Sequence, residues 1–210
     1  MQRAKKLGHV GCAIPCAAPP ERPYADPLYD KFWAVAEALR MPLAFHTGAY
    51  AGPRGNLPAY FGERDLSWPL FSTIAAVSIS DLILYGACDR FPDLKFIPTE
   101  FETGWIATFL LRMDWNEYRA HNYHGLSMEP SAYWRRNFAA TFEDDEIGIH
   151  TRDILGVHTL MWASDYPHGD ATWPESQETL AYVTRECTAE ESQMLRGKNA
   201  VDIYSLPFEF

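Results

Sequence analysis

Thr159-Leu-Met-Trp-Ala-Ser-Asp165-Tyr-Pro-His168, followed by Gly169-Asp170, is the stretch on which the reading of this chain turns. Leu160 to Ala163 is a short apolar run of the kind that forms a buried strand. It ends near a carboxylate, Asp165, and Pro167 and Gly169 then stop the strand and open a loop. An acidic residue where a buried strand meets its loop can satisfy loop amides. It is equally placed to hold a metal ion or move a proton at the C-terminal edge of a sheet. Pro42-Leu-Ala-Phe45-His46-Thr47-Gly48 repeats the pattern, with a His at the mouth instead of an Asp. His and Asp on two strand ends suit a divalent-metal site.

A third strand, Leu94-Lys-Phe-Ile97-Pro98-Thr99, delivers Glu100, with Glu102 close behind, and Asn137 to Phe142 runs into the acidic end Glu143-Asp144-Asp145. His9 to Ile14, ended by Pro15, supplies the first strand. Between them lie helical patterns: Gln2 to Leu7, a helix capped by Asp26 with Pro27 at its first position, Pro69 to Asp89, Gly104 to Tyr118, Pro130 to Arg136, and Ile147 to Leu155. Helices also close the chain, at Pro174 to Glu186, after the capping box Thr188-Ala-Glu-Glu191, and at Gly197 to Tyr204. Strand then helix recurs five times, so a parallel α/β fold is expected. Alternation alone leaves barrel and open sheet undecided. Chemistry-bearing residues on three successive strand ends favour a barrel mouth, because an open sheet concentrates its ligand at one switch point.

The bulk properties fit a single domain over 1–210 with one sizeable core: 47% of residues are hydrophobic, 22% are charged, and seven are Trp. A net charge of -10, with no Lys/Arg cluster, argues against nucleic acid as a partner. No apolar run is long enough to span a bilayer, and Met1 to Gly8 lacks the apolar core of a signal peptide. Cys12, Cys16, Cys88 and Cys187 form no CxxC pair and read as reduced, packed thiols, which places the chain in the cytoplasm. His121 and His124 fall in a polar loop and read as surface or packing residues. Tyr50 to Trp68, rich in Gly, Pro and aromatic residues, is a loop of the kind that covers a ligand. Tyr50, Arg54 and Trp68 are candidates there for gripping an anionic or aromatic small-molecule substrate, with Arg54 equally readable as a solvated loop charge.

Phe45-His46-Thr-Gly48, Leu94 to Glu100 with Gly104-Trp105-Ile106, Thr141-Phe-Glu-Asp-Asp145, Met161 to His168 and the closing Gly197-Lys-Asn-Ala together resemble the amidohydrolase-related (amidohydrolase 2) family, which includes aminocarboxymuconate-semialdehyde decarboxylase. The resemblance implies a (β/α)₈ TIM-type barrel with a divalent metal, usually zinc, at its mouth. In that family a His-x-His pair on the first strand, a His on a middle strand and an Asp on the last strand hold the ion. His46 matches the middle-strand ligand and Asp165 the last-strand ligand. Glu100 stands where the decarboxylase branch has a catalytic His, so it either takes over acid/base work or marks different chemistry. His168 is expected to contact substrate or to support the ligands.

No His-x-His occurs in the chain. The resemblance therefore implies about five C-terminal β/α units of eight, a partial barrel with its N-terminal strands missing. Such a chain is expected to bind zinc weakly and to be weakly active, since a catalytic zinc needs three protein ligands. Its uncovered strand edges leave room for a homo-oligomer. Three functions stay open: a metal-dependent carbon–carbon lyase, a metal-dependent hydrolase using the same site, and a non-catalytic remnant that at most binds a partner chain.

Overall fold

A computed structural model describes residues 1–46 and 67–209, with the side chains of 67–71 outside that description. Tyr50 and Arg54 lie outside the described residues, and Trp68 is placed only by its backbone, within a helix. All five expected strands form: β1 (Cys12–Pro15), β2 (Leu43–His46), β3 (Phe96–Thr99), β4 (Ala140–Phe142) and β5 (Leu160–Trp162). Every pairing is parallel, β1 with β2, β2 with β3, and β4 with β5. A parallel bridge between Phe96 and Phe138, where Ala139 N donates to Phe96 O at 3.1 Å, joins the two sets. The described chain is thus an α/β fold whose strands follow sequence order.

The helices are α1 (Gln2–Lys6), α2 (Asp30–Ala38), α3 (Ser67–Leu84), α4 (Ala87–Arg90), α5 (Gly104–Arg119), α6 (Pro130–Asn137), α7 (Glu146–His150), α8 (Arg152–Leu155), α9 (Ser176–Val183), α10 (Ala189–Gln193) and α11 (Asn199–Tyr204). Local signals placed most of their ends. The Asp26 carboxylate accepts from Leu28 N at 2.8 Å and Pro27 opens a 3₁₀ turn, Pro27–Tyr29, that feeds α2. The Thr188–Glu191 capping box is present in both directions. Two expected helices are each split in two. The one expected over 69–89 ends at Leu84 because Gly86 takes φ +80, which a continuing helix cannot accommodate, and α4 restarts after it. The one expected over 147–155 breaks at Thr151, whose hydroxyl bonds back to the Ile147 and Gly148 carbonyls.

Strand periodicity sorts the side chains into two faces. Leu43 and Phe45 of β2, Phe96 of β3, Ala140 and Phe142 of β4 and Leu160 of β5 point toward the helices, into a core with Trp33, Ile79, Leu110, Tyr133 and Trp134. Trp134 stacks flat on Phe138, 5.4 Å between centroids, and donates to Thr159 Oγ1. Fully burying each such side chain stabilises the fold by about 1.5–3 kcal/mol. Ile97, Ala139 and Met161 form a second, smaller cluster, backed by Ala44, Ala200, Ile203 and Tyr204 of α11. Asn199 secures that helix: its Nδ2 donates to Val157 O and Leu160 O, each at 2.7 Å, at the start of β5. With its N-terminal end packed by α11, the second face leads toward the C-terminal ends of the strands.

Among the described residues no helix is long and apolar enough to cross a membrane. All four cysteines carry free thiols. Burial pushes the Cys16 thiol up to about 11, and Cys88 is also raised, chiefly by burial, as expected of unreactive packed groups. His124 has the packing role expected, with Nδ1 2.7 Å from the buried Glu117 carboxylate and its ring edge-on to Tyr85.

Candidate metal centre

Four consecutive strands bring a polar group to the same end of the fold. β2 ends on His46, Glu100 follows β3, Glu143 follows β4, and Asp165 lies three residues beyond the end of β5. Because the strands are parallel and in order, these termini are neighbours. His46 and Thr99 are register partners, as are Phe142 and Trp162. Glu100 and Asp165 both adopt left-handed backbone, φ +62 and +53, which side chains other than Gly, Asn and Asp seldom take. Such strain is held by surrounding contacts and is common where side chains must be aimed at a site.

The side chains meet. His46 Nε2 is 3.1 Å from Glu100 Oε1. His168 Nδ1 is 2.8 Å from both oxygens of Asp165, and His168 N donates to Asp165 O at 2.9 Å, closing a tight turn. One ligand atom each from Glu100, Asp165 and His168 fall within 4.8 Å of one another. His46 stands one contact further out, through Glu100. The Asp165 side chain is only 9% exposed, whereas that of His168 is 62% exposed. The carboxylate is therefore embedded while the imidazole faces the opening.

Carboxylates crowd this end. Glu143 is pushed up to about 7, first by burial and then by the charges of Asp165, Asp170, Glu100 and Asp144. Glu102 is pushed up to about 8, by burial first and then by Asp145. His168 is raised, first by its hydrogen bond with Asp165 and then by that residue's charge. Like charges that hold one another's protons on are relieved by a divalent cation among them. The donor set, carboxylate oxygens with imidazole nitrogens, fits such an ion and is not particular to zinc, since carboxylates suit manganese and magnesium and imidazole suits several transition metals.

Two features of this centre were not assigned from the sequence. Glu143 was visible only as part of an acidic strand end, although it occupies the same strand-end position as Glu100. Thr141 and Asp145 carry the contacts that hold Glu100 and its loop; both lie in the Thr141–Asp145 stretch singled out in the sequence, which gave neither a role.

The profile of the amidohydrolase family matches residues 1–206. No curated protein matches the chain. Among solved structures, an amidohydrolase from Mycobacterium avium subsp. paratuberculosis aligns with a TM-score of 0.81 at 18% identity, over 97% of this chain and 53% of that one. The 5-carboxyvanillate decarboxylase of Sphingomonas paucimobilis aligns at 0.74 and 26% identity, over 96% and 60%. A dihydroxybenzoic acid decarboxylase from Polaromonas sp., with bound manganese and the inhibitor 2-nitroresorcinol, aligns at 0.77 and 20% identity, over 99% and 64%. The chain thus spans between 53% and 64% of the length of these structures. A profile match over nearly its whole length, on a parallel fold that several solved amidohydrolases and decarboxylases share, places the chain in the amidohydrolase family.

Proposed function

We propose that this chain carries the metal-binding end of a divalent-metal-dependent enzyme acting on a small carboxylate or aromatic acid, and that the reaction is non-oxidative decarboxylation. The observation that carries the reading is the convergence of Glu100, Asp165 and His168 within 4.8 Å at the strand ends, with His46 against Glu100. On this reading the five parallel strands are part of an eight-stranded barrel. Asp165 and His46 are ligands, and Glu100 and His168 complete the set from this chain. When bound, the ion polarises a substrate carboxylate or carbonyl. Manganese is the first ion to test, because a structural neighbour carries it.

In the decarboxylation the bond between the ring carbon and the carboxylate breaks, carbon dioxide leaves, and the electron pair stays on the ring carbon. A carboxyl O–H then returns a proton to that carbon. Glu100, paired with His46 at 3.1 Å, is the group proposed for this step. In the hydrolytic alternative the embedded Asp165 carboxylate accepts the proton of the attacking water, whose oxygen bonds to the substrate carbonyl carbon. Tyr50, Arg54 and Trp68 keep their proposed part in gripping the substrate on sequence grounds. Hydrolysis of an ester, lactone or amide uses the same groups, with the proton delivered to the leaving atom instead. With two of the family's ligand positions, His46 and Asp165, in this chain, the 210 residues are proposed to bind metal more weakly than a full family set and to turn over slowly.

The test is to load the purified chain with manganese and supply hydroxylated benzoates labelled with ¹³C in the carboxylate. The names of the neighbouring decarboxylases suggest 5-carboxyvanillate and 2,6-dihydroxybenzoate as first members of the panel. Labelled bicarbonate supports decarboxylation. A ring-opened acid from a lactone panel, without bicarbonate from the benzoates, favours hydrolysis. A chain that binds no metal after loading excludes both and leaves a non-catalytic remnant.

A further inference from the structure

The loop leaving β3 turns backbone donors toward side-chain acceptors. Glu100 and Glu102 both have positive φ, +62 and +51, so the chain leaves extended strand geometry there. Side chains from β4 and the segment after it supply acceptors instead. Glu100 N donates to Thr141 Oγ1 at 3.1 Å. Thr103 N and Gly104 N each donate to Asp145 Oδ2 at 2.6 Å, and the Thr103 hydroxyl donates to the same oxygen at 2.8 Å. Between these, Glu143 N donates back to Glu102 Oε2 at 3.4 Å. The contacts 100 to 141, 102 to 143 and 103–104 to 145 form a ladder built from side chains, in step with the parallel pairing below it. Asp145 is itself fixed, since its other oxygen accepts from Gly148 N at 2.9 Å. A methyl group added at Gly148 would sit 1.9 Å from Thr103 Oγ1, so this clasp has no spare room.

We propose that Thr141 is a positioning residue: its hydroxyl, by accepting the Glu100 N–H, aims the Glu100 carboxylate at Asp165 and His168, with the Asp145 clasp holding the far end of the loop. The inference rests on the metal reading of this end of the fold. Thr141 neither touches the ion's proposed ligand atoms nor titrates. It acts through the left-handed backbone of Glu100, φ +62, whose N–H it accepts.

Thr141→Val has the same shape and lacks the acceptor, whereas Thr141→Ser keeps it. The measurements are manganese affinity, from the electron paramagnetic resonance signal of the free aqueous ion, and amide hydrogen exchange at Glu100 in metal-free protein. Partners that orient a ligand typically change metal affinity by about 10–100-fold. Thr141→Val should therefore bind manganese about tenfold more weakly and exchange the Glu100 amide about tenfold faster, with a melting temperature lower by no more than about 2–4 °C, while Thr141→Ser stays at parental values throughout. Glu100→Gln, as a control, should also bind more weakly. Weak binding in Glu100→Gln beside parental affinity and exchange in Thr141→Val overturns this inference alone. Parental affinity in Glu100→Gln, or no manganese binding by the parent, overturns the metal reading and this inference with it.

Discussion

Asp165→Asn separates a residue that serves chemistry from one that serves folding. Its backbone has φ +53, and Asn is one of the few residues that tolerates that region, so the substitution adds little strain. The side chain is nearly isosteric and buries no apolar group. What disappears is one negative charge. Its partner His168 is largely exposed, so losing that pair costs little folding free energy. Against this, Asp165 heads the charges that hold Glu143 up at about 7, and removing it eases that crowding. The two effects oppose each other, and the net change should lie within about 1 kcal/mol. For a chain of this size that is a shift in Tm of at most about 2–4 °C. Activity should respond differently, because a charged ligand and proton acceptor becomes a neutral amide. Positioned proton transfer alone contributes about 10²–10⁴-fold in rate, so turnover should fall by at least that much. The assay compares Tm, bound manganese and turnover per folded molecule, with the pKa of Glu143 followed by carboxyl ¹³C shifts in metal-free protein. The Glu143 value should move down in the variant. Unfolding with undiminished turnover per folded molecule, or a Glu143 pKa that does not fall, would refute the reasoning.

Other outcomes follow from contacts away from the strand ends. Asn137 is fully buried and its Nδ2 donates to the carbonyls of Phe91, Pro92 and Leu94, so Asn137→Leu should cost about 1–3 kcal/mol or more in urea unfolding. Thr188→Ala removes the hydroxyl that accepts from Glu191 N, the side-chain half of a capping box at residue 188, and should cost about 1 kcal/mol, read as a lower urea midpoint at unchanged slope. Arg152, through its hydrogen bond, holds Glu191 below its ordinary value of 4.5. A carboxyl lowered on folding contributes stability that is complete above that value and is lost as pH falls through it, so Arg152→Gln should flatten the acid limb of a Tm-against-pH curve below about 4.5 and change little of its shape above. Manganese at about 100 times its Kd should raise stability by about 2.7 kcal/mol, reversibly with a chelator, and the Asp165→Asn variant should gain less at the same concentration.

The features legible in the sequence are those whose causes lie within a few residues. Apolar runs of four to six marked all five strands, because a strand buried on both faces needs no distant partner to be recognised. Asp26-Pro27 and Thr188 to Glu191 marked helix starts, because a cap bonds to amides two or three positions away. The residue that ends each strand could be read as well, so His46, Glu100 and Asp165 were identifiable as mouth residues. What the runs could not give was the backbone beyond them, left-handed at Glu100 and Asp165.

Only the tertiary structure decided which mouth residues touch. His168 and Asp165 are three positions apart, yet the sequence alone does not say that the turn returns the imidazole to the carboxylate. Glu100 and Thr141 are forty-one positions apart, and the hydroxyl becomes an acceptor only because β4 lies beside β3 and the turn at Glu100 brings its N–H there. The pressure of Asp165, Asp170 and Glu100 on Glu143 arises in the same way, from charges on different strands brought to one end. Coulomb and hydrogen-bond terms depend on distance through space, whereas periodicity and capping depend on distance along the chain.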